Sequence, residues 1–191
     1  MIIMISNVEI NKDVKLSEHF TLAEMTKTSV KTKDGNIPSR VHIENLKRVC
    51  GWLERLRQRC NQMRNERNER NERNEGNERN GNEAPIIINS GYRSVAVNEA
   101  VGGATGSNHL TGCAVDIRCK GIEQAIRYAF ILLDIADESQ EEFDELLIEK
   151  SSKSVWVHFA VRPSENSFEA HPPVIDEQFT AEVERVRQFF N

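Results

Sequence analysis

The sequence predicts an α+β domain in which helices pack on one face of a small antiparallel sheet. Stretches with apolar residues at helical spacing and stretches in which apolar and polar residues alternate occur along the same chain. Two predicted strands, at residues 145–150 and 155–161, flank a short polar turn at 151–153, which is typical of an antiparallel hairpin. The length of 191 residues fits a single domain, residues 1–191, with appendages.

Four helices are expected along the chain. Thr21 and Glu24 have the spacing of a capping box, which predicts that a short helix begins there. Apolar residues three and four positions apart predict two core-packed helices and a terminal helix. The predicted helices cover about residues 22–26, 41–60, 122–136 and 179–190, with a further helical turn at 94–100.

The expected strands cover residues 86–89, 113–119, 145–150 and 155–161. The first reads Ile-Ile-Ile-Asn and is apolar on both faces, which predicts a central position in the sheet. In the second strand, alternation places Val115 and Ile117 on the core face and Asp116 on the opposite face. In the last strand, His158 also faces away from the core.

Residues 61–83 form a polar insert in which the triplet Asn-Glu-Arg recurs. No apolar residue follows Met63 in this stretch, so it cannot join a core. Glutamate and arginine four positions apart favour a helix, whereas the asparagines oppose it. We predict a solvated insert that is flexible or weakly helical, with a partner-binding segment as the alternative.

Composition excludes several classes of function. The net charge of −5 gives no support to nucleic-acid binding. No apolar run approaches the length of a membrane span. Residues 1–9 lack a basic start and a small-residue cleavage site, so a signal peptide is not expected. The four cysteines contain no Cys-x-x-Cys pair and do not predict a sulfur-ligated metal site.

Two metal-ligand candidates, His109 and Asp116, flank a turn of small residues that contains Gly112, and a third, His158, lies in the last strand. Zinc binds imidazole nitrogen and carboxylate oxygen, and catalytic sites usually keep three protein ligands and one open position. A single histidine in a strand is more often structural. An aspartate in an apolar strand needs a partner, because a buried unpaired carboxylate is costly. The pattern Ser-x-His-x-x-Gly-x-Ala-x-Asp, followed by Trp-x-His, therefore predicts a zinc site.

This pattern resembles the signature of the zinc D-Ala-D-Ala carboxypeptidase family (peptidase M15). The family includes wall-cleaving peptidases and phage endolysins and shares its fold with the hedgehog signalling domain. The resemblance extends over about residues 16–161 apart from the insert. It is carried by Asn-Ser-Gly-Tyr-Arg-Ser at 89–94 and by Ser107, His109, Gly112, Ala114, Asp116 and His158. It implies a hedgehog/DD-peptidase-like fold, zinc ligands at His109, Asp116 and His158, and Arg93 near the substrate.

The activity implied by the resemblance is hydrolysis of a peptidoglycan stem peptide, as a carboxypeptidase or an endopeptidase. Many members place an acidic base three residues before the last ligand, where this chain has Val155. In the hedgehog-like arrangement, a glutamate on the preceding strand of the hairpin can supply the general base instead. Glu149 fits that position, with Asp144 in reserve. Arg93 is expected to orient the substrate or to stabilise charge, with a structural salt bridge as the alternative. Ser107 is expected to contact the substrate, with satisfaction of the loop backbone as the alternative.

Two other functions stay open at this point. In the first, the chain is a non-catalytic zinc domain that binds cell wall or a protein partner. In the second, it is a structural component of a phage particle, with the insert as an attachment arm. The missing acid at position 155 favours the first of these. We expect a wall substrate to be reached after lysis or by non-classical export. The sequence does not predict an oligomeric state.

Overall fold

A computed structural model describes residues 14–75, 85–162 and 174–175. Its helices are α1 (Leu22–Met25), α2 (Arg40–Glu75), α3 (Val95–Ala100), α4 (Ile122–Ser139) and a 3-10 helix (Asn108–Thr111). Its strands are β1 (Ile88–Ser90), β2 (Ala114–Cys119), β3 (Phe143–Lys150), β4 (Val155–Val161) and β5 (Val174–Ile175). The predicted terminal helix at 179–190 lies outside the described residues.

The strands form one sheet in the order β1-β2-β4-β3-β5. Neighbours among the first four strands are antiparallel, and β5 adds a short parallel pair to the outer edge of β3. This arrangement confirms the predicted α+β class. No helix within the described ranges is both long enough and apolar enough to cross a membrane.

One face of the sheet carries the hydrophobic core, against which α2 and α4 pack. Phe159 of β4 contacts the rings of Trp52 and Phe143, at centroid distances of 5.1 and 5.7 Å. Burial of a large apolar side chain contributes about 1.5–3 kcal/mol, so the many buried side chains on this face make a large contribution to stability. Its fully buried members include Leu46, Val49, Leu53 and Leu56 of α2, Ala125, Ala129 and Leu132 of α4, and Val115, Ile117, Leu146, Val157 and Phe159 of the sheet.

Two predictions about single elements were wrong. The long helix continues to Glu75, beyond the predicted end near residue 60. The first part of the polar insert is therefore helical, which is one of the two predicted alternatives, and residues 76–83 of the insert lie outside the described residues. A helix that core packing has nucleated adds one hydrogen bond for each further residue, so it extends beyond its apolar stripe. The strand predicted to be central is the edge strand β1. Ile86 is buried while Ile87 is 44% exposed, so the apolar run does not reflect burial on both faces.

The segment before α1 is attached to α2 by one carboxylate, that of Glu54. Its Oε1 accepts hydrogen bonds from Ser17 Oγ at 2.6 Å and from the backbone N–H of His19 at 2.8 Å. Its Oε2 lies 2.8 Å from His19 Nδ1. Burial opposes ionisation of Glu54, but the hydrogen bonds from Ser17 and His19 outweigh it and lower the pKa of this carboxyl.

We expect Glu54→Gln to lower the melting temperature at neutral pH by about 3–12 °C, because hydrogen bonds to a charged group contribute about 1.5–3 kcal/mol. Because the pKa of Glu54 is lower in the folded protein than its ordinary value of 4.5, ionised Glu54 stabilises the fold at every pH above 4.5. This contribution is lost as the pH falls from 4.5 through the lowered pKa. The melting temperatures of the two proteins should therefore start to converge as the pH falls below 4.5, and they should meet once the pH is below the lowered pKa of Glu54. Glu44→Gln, at an exposed pair with Lys47, is the matched control. A constant difference at all pH values would contradict this account.

Candidate metal centre

The three predicted ligands, His109, Asp116 and His158, meet on the sheet face opposite the core. His109 lies in the 3-10 helix, and Asp116 of β2 is paired directly with His158 of β4. One ligand atom from each of the three side chains lies within 4.8 Å of the others. The three residues are only 2%, 7% and 8% exposed, respectively. The arrangement is a buried cluster with the composition of a metal site.

A tight turn at Gly112 places His109 over the start of β2. Gly112 has a φ of 74° and ends the 3-10 helix, a backbone conformation that favours glycine. A Cβ at this position would lie 2.7 Å from the carbonyl oxygen of His42. The Ser107 side chain caps the other end of the helix by accepting from the backbone N–H of His109. The small residues of the motif therefore have a structural role in aiming the first ligand.

Hydrogen bonds determine which ring nitrogen of each histidine faces the centre. His109 Nδ1 lies 2.6 Å from the Gly91 carbonyl, which can only accept, so Nδ1 carries the hydrogen. Its Nε2 is then directed at Asp116 Oδ1, 3.3 Å away. His158 uses the opposite nitrogen, since its Nδ1 lies 2.9 Å from Asp116 Oδ1 and its Nε2 lies 2.9 Å from Glu145 Oε2.

The charges in the cluster are coupled. Burial opposes ionisation of Asp116, but His109 and His158, when the nitrogens that face it are protonated, donate hydrogen bonds to its carboxylate and hold its pKa well below the usual range. Burial also opposes protonation of His158, but the carboxylates of Asp116 and Glu145 raise its pKa to about 9. The hydrogen bond to His158 lowers the pKa of Glu145, against the effect of its partial burial. The site therefore concentrates negative charge on two carboxylates.

The donor set fits a divalent metal ion. Two imidazole nitrogens and a carboxylate oxygen with one open position form a ligand set of catalytic zinc sites. Bonds of 2.0–2.1 Å in a tetrahedron place ligand atoms about 3.3–3.4 Å apart. Asp116 Oδ1 already lies 3.3 Å from His109 Nε2 and 2.9 Å from His158 Nδ1. Both distances are close to this spacing, and all three ligand atoms lie within 4.8 Å of one another.

Arg93, which is expected near the substrate, contacts the candidate metal ligand Asp116 directly. One of its terminal nitrogens lies 2.5 Å from Asp116 Oδ2, and its Nε donates to Ser90 Oγ at 2.8 Å. The guanidinium has five donors, so it can hold Asp116 and still present donors to another group. Ser107 is half-buried and caps the 3-10 helix, which matches the backbone alternative for this residue.

A cleft of about 180 Å³ opens beside Arg93. Lys27 and Arg93 supply positive charge to its wall, and Val97 and Val101 supply an apolar surface. Carboxylate-bearing and small apolar groups match this lining.

The acids expected as general bases lie on β3 but hydrogen-bond elsewhere. Glu149 accepts from Trp156 Nε1 at 2.7 Å, and it is paired with Trp156, two residues along β4 from His158. Asp144 accepts from Asn108 Nδ2 at 2.7 Å. The carboxylate that contacts a ligand is Glu145, which the sequence reasoning missed. The sequence feature that could have indicated Glu145 is the pair of adjacent acids, residues 144 and 145, between the apolar residues at positions 143 and 146.

Comparison with known families agrees with this site. Residues 76–158 match the family model of Peptidase M15. The matched stretch runs from the polar insert to the last ligand and includes His109, Asp116 and His158. A search of curated proteins found no match for the chain. The family match and the buried cluster together support a metal-dependent peptidase.

Proposed function

We propose that this protein is a zinc peptidase that hydrolyses the stem peptides of peptidoglycan. The observation that carries the proposal is the convergence of His109, Asp116 and His158 within a stretch that matches a peptidase family. Both carboxypeptidase and endopeptidase action fall within it. The implied setting is an endolysin-like protein that meets the wall after lysis or non-classical export.

When bound, zinc supplies a Lewis acid that polarises the scissile carbonyl and acidifies a water. We assign Glu149 to accept the proton of the attacking water and to return it to the leaving amine. Its carboxylate lies on the same sheet face as His158 and must exchange its hydrogen bond with Trp156 for one to the water. Asp144 is the reserve for this role.

Arg93 and the adjoining cleft bind the substrate in this proposal. The guanidinium holds Asp116 in its ionised form and offers its remaining donors to a peptide carboxylate. Lys27 adds a second positive charge to the cleft, and Val97 and Val101 accommodate a methyl side chain such as that of alanine. A stem peptide, which combines carboxylates with alanine residues, has this chemistry.

Turnover of purified peptidoglycan by zinc-loaded protein tests the proposal, with new amino termini as the readout. Glu149→Gln should lower kcat by about 10²–10⁴-fold, the usual contribution of a general base, while one zinc stays bound. Glu123→Gln, at an exposed position of α4, should leave kcat unchanged. Equal release of termini by the wild type and by Glu149→Gln would remove Glu149 from this role, and Asp144→Asn would then be measured in the same assay.

A non-catalytic zinc domain that binds cell wall is the second candidate. The observation that favours it is the hydrogen bond that holds Glu149 to Trp156, together with Val155 where many related peptidases carry an acid. The discriminating comparison is wild type against His109→Ala. Wall binding by both proteins, with no zinc-dependent release of termini by either, would select this candidate.

A further inference from the structure

We propose that Glu145 is a positioning residue that fixes the ring of His158 for metal binding, and that Asn108 holds Glu145 in place. The inference rests on the metal centre of the proposed function but not on the identity of the substrate. Glu145 Oε2 lies 2.9 Å from His158 Nε2 and accepts from Asn108 Nδ2 at 3.0 Å. The same oxygen therefore connects the last ligand to the helix that carries the first.

A β-bulge in β3 brings Glu145 to this face. Phe143 is paired with Val161 and Glu145 with Ala160, so Asp144 is an extra residue between them. Plain alternation would put the side chain of Phe143 on the same face as Glu145. Because of the extra residue, Phe143 enters the core and both acids turn outward, as bulges near active sites commonly achieve.

The role of Glu145 follows from the tautomers of imidazole. A neutral ring carries one hydrogen, and only the bare nitrogen can bind a metal. Asp116 Oδ1 lies 2.9 Å from His158 Nδ1, and on its own it would favour the hydrogen on Nδ1, which blocks the ligand position. Glu145 offers a carboxylate to Nε2 at the same distance and so favours the tautomer in which Nδ1 is free.

Asn108 holds the Glu145 carboxylate in position against the ring of His158. Its Nδ2 donates one hydrogen to Glu145 and the other to Asp144 Oδ2 at 2.7 Å. Asn108 directly precedes the ligand His109 in the 3-10 helix. One short helix therefore sets the first ligand and, through the bulge of β3, the orientation of the third.

The zinc dissociation constant, measured by competition with a chromogenic chelator, tests this role. Glu145→Ala should raise it by about 10–100-fold, the usual effect of removing a carboxylate that orients a histidine ligand. Glu145→Gln should restore most of the affinity, because an amide oxygen still accepts from Nε2. Asn108→Ala should give a smaller rise in the same direction. Glu123→Ala, at an exposed position of α4, should leave the constant unchanged.

A second readout separates positioning from a general effect on folding. In zinc-loaded wild type, the ¹⁵N signals of His158 should show a hydrogen on Nε2 and the metal on Nδ1. If Glu145→Ala does not fold, the Asn108→Ala constant and the wild-type spectrum still decide the question. Unchanged affinity in every folded variant, or a hydrogen on Nδ1 in the zinc-loaded wild type, would overturn the proposal. A wild type that binds zinc but releases no peptide would refute the peptidase and leave Glu145 in its role.

Discussion

Replacement of Asp116 by asparagine is expected to remove the metal from the purified protein. Under the proposed function, the rate of peptide hydrolysis should then fall by at least about a thousandfold. A factor of that size corresponds to about 4 kcal/mol, which is within the several kcal/mol that a catalytic metal contributes. Asp116 supplies the charged oxygen of the cluster and sits between both histidines. An amide is neutral, so it neither offsets the charge of the ion nor keeps the ion pair with Arg93.

Metal content by elemental mass spectrometry and turnover on peptidoglycan are the two measurements. Circular dichroism of Asp116→Asn must show an intact fold, since Arg93 loses its partner in this variant. His109→Ala provides a second test that keeps the pair of Arg93 with Asp116. Glu123→Gln removes an exposed carboxylate and should retain one zinc per chain. A full complement of zinc in the Asp116 variant would place the ion elsewhere.

Periodicity was sufficient to predict the fold class and the pairing that builds the site. Core-facing residues alternate with Asp116 in one strand and with His158 in another, and the structure pairs these two strands so that the two residues are direct neighbours. The hairpin that ends in β4 and the capping box at Thr21 were also predicted, and both are present. In each case the structure that the local sequence pattern favours is also the one that places the side chains correctly in the folded protein, so the pattern is sufficient to predict it.

Other features depend on contacts that a period of two or 3.6 residues does not encode. The bulge at Asp144 breaks the alternation of β3, so the side that Glu145 faces could not be derived from its position in the strand. The edge position of β1 depends on which strands pair, and an apolar run does not specify this. The bond from Glu149 to Trp156 likewise depends on the register of the hairpin.

Gly91 is a position where one methyl group should damage both the fold and the metal centre. A Cβ on Gly91 would lie 2.4 Å from the carbonyl oxygen of Met25, which is backbone and cannot turn aside. The same carbonyl accepts from the N–H of Tyr92 at 2.8 Å, so α1 and the end of β1 are held in close contact. The carbonyl of Gly91 in turn accepts from His109 Nδ1 and sets the tautomer of that ligand.

Gly91→Ala should therefore lower the free energy of unfolding by about 1–3 kcal/mol or more, the usual cost of overpacking, and the melting temperature by about 2–12 °C. Zinc affinity should fall as well, because the carbonyl that orients His109 must move. Gly51→Ala is the matched control. Gly51 lies exposed in α2, and apart from its neighbours and the backbone of its own helix no atom lies within 4 Å of a new Cβ, so alanine should stabilise the protein by about 0.5–1 kcal/mol. Thermal melts that shift in the same direction for both variants would contradict the close contact between α1 and Gly91.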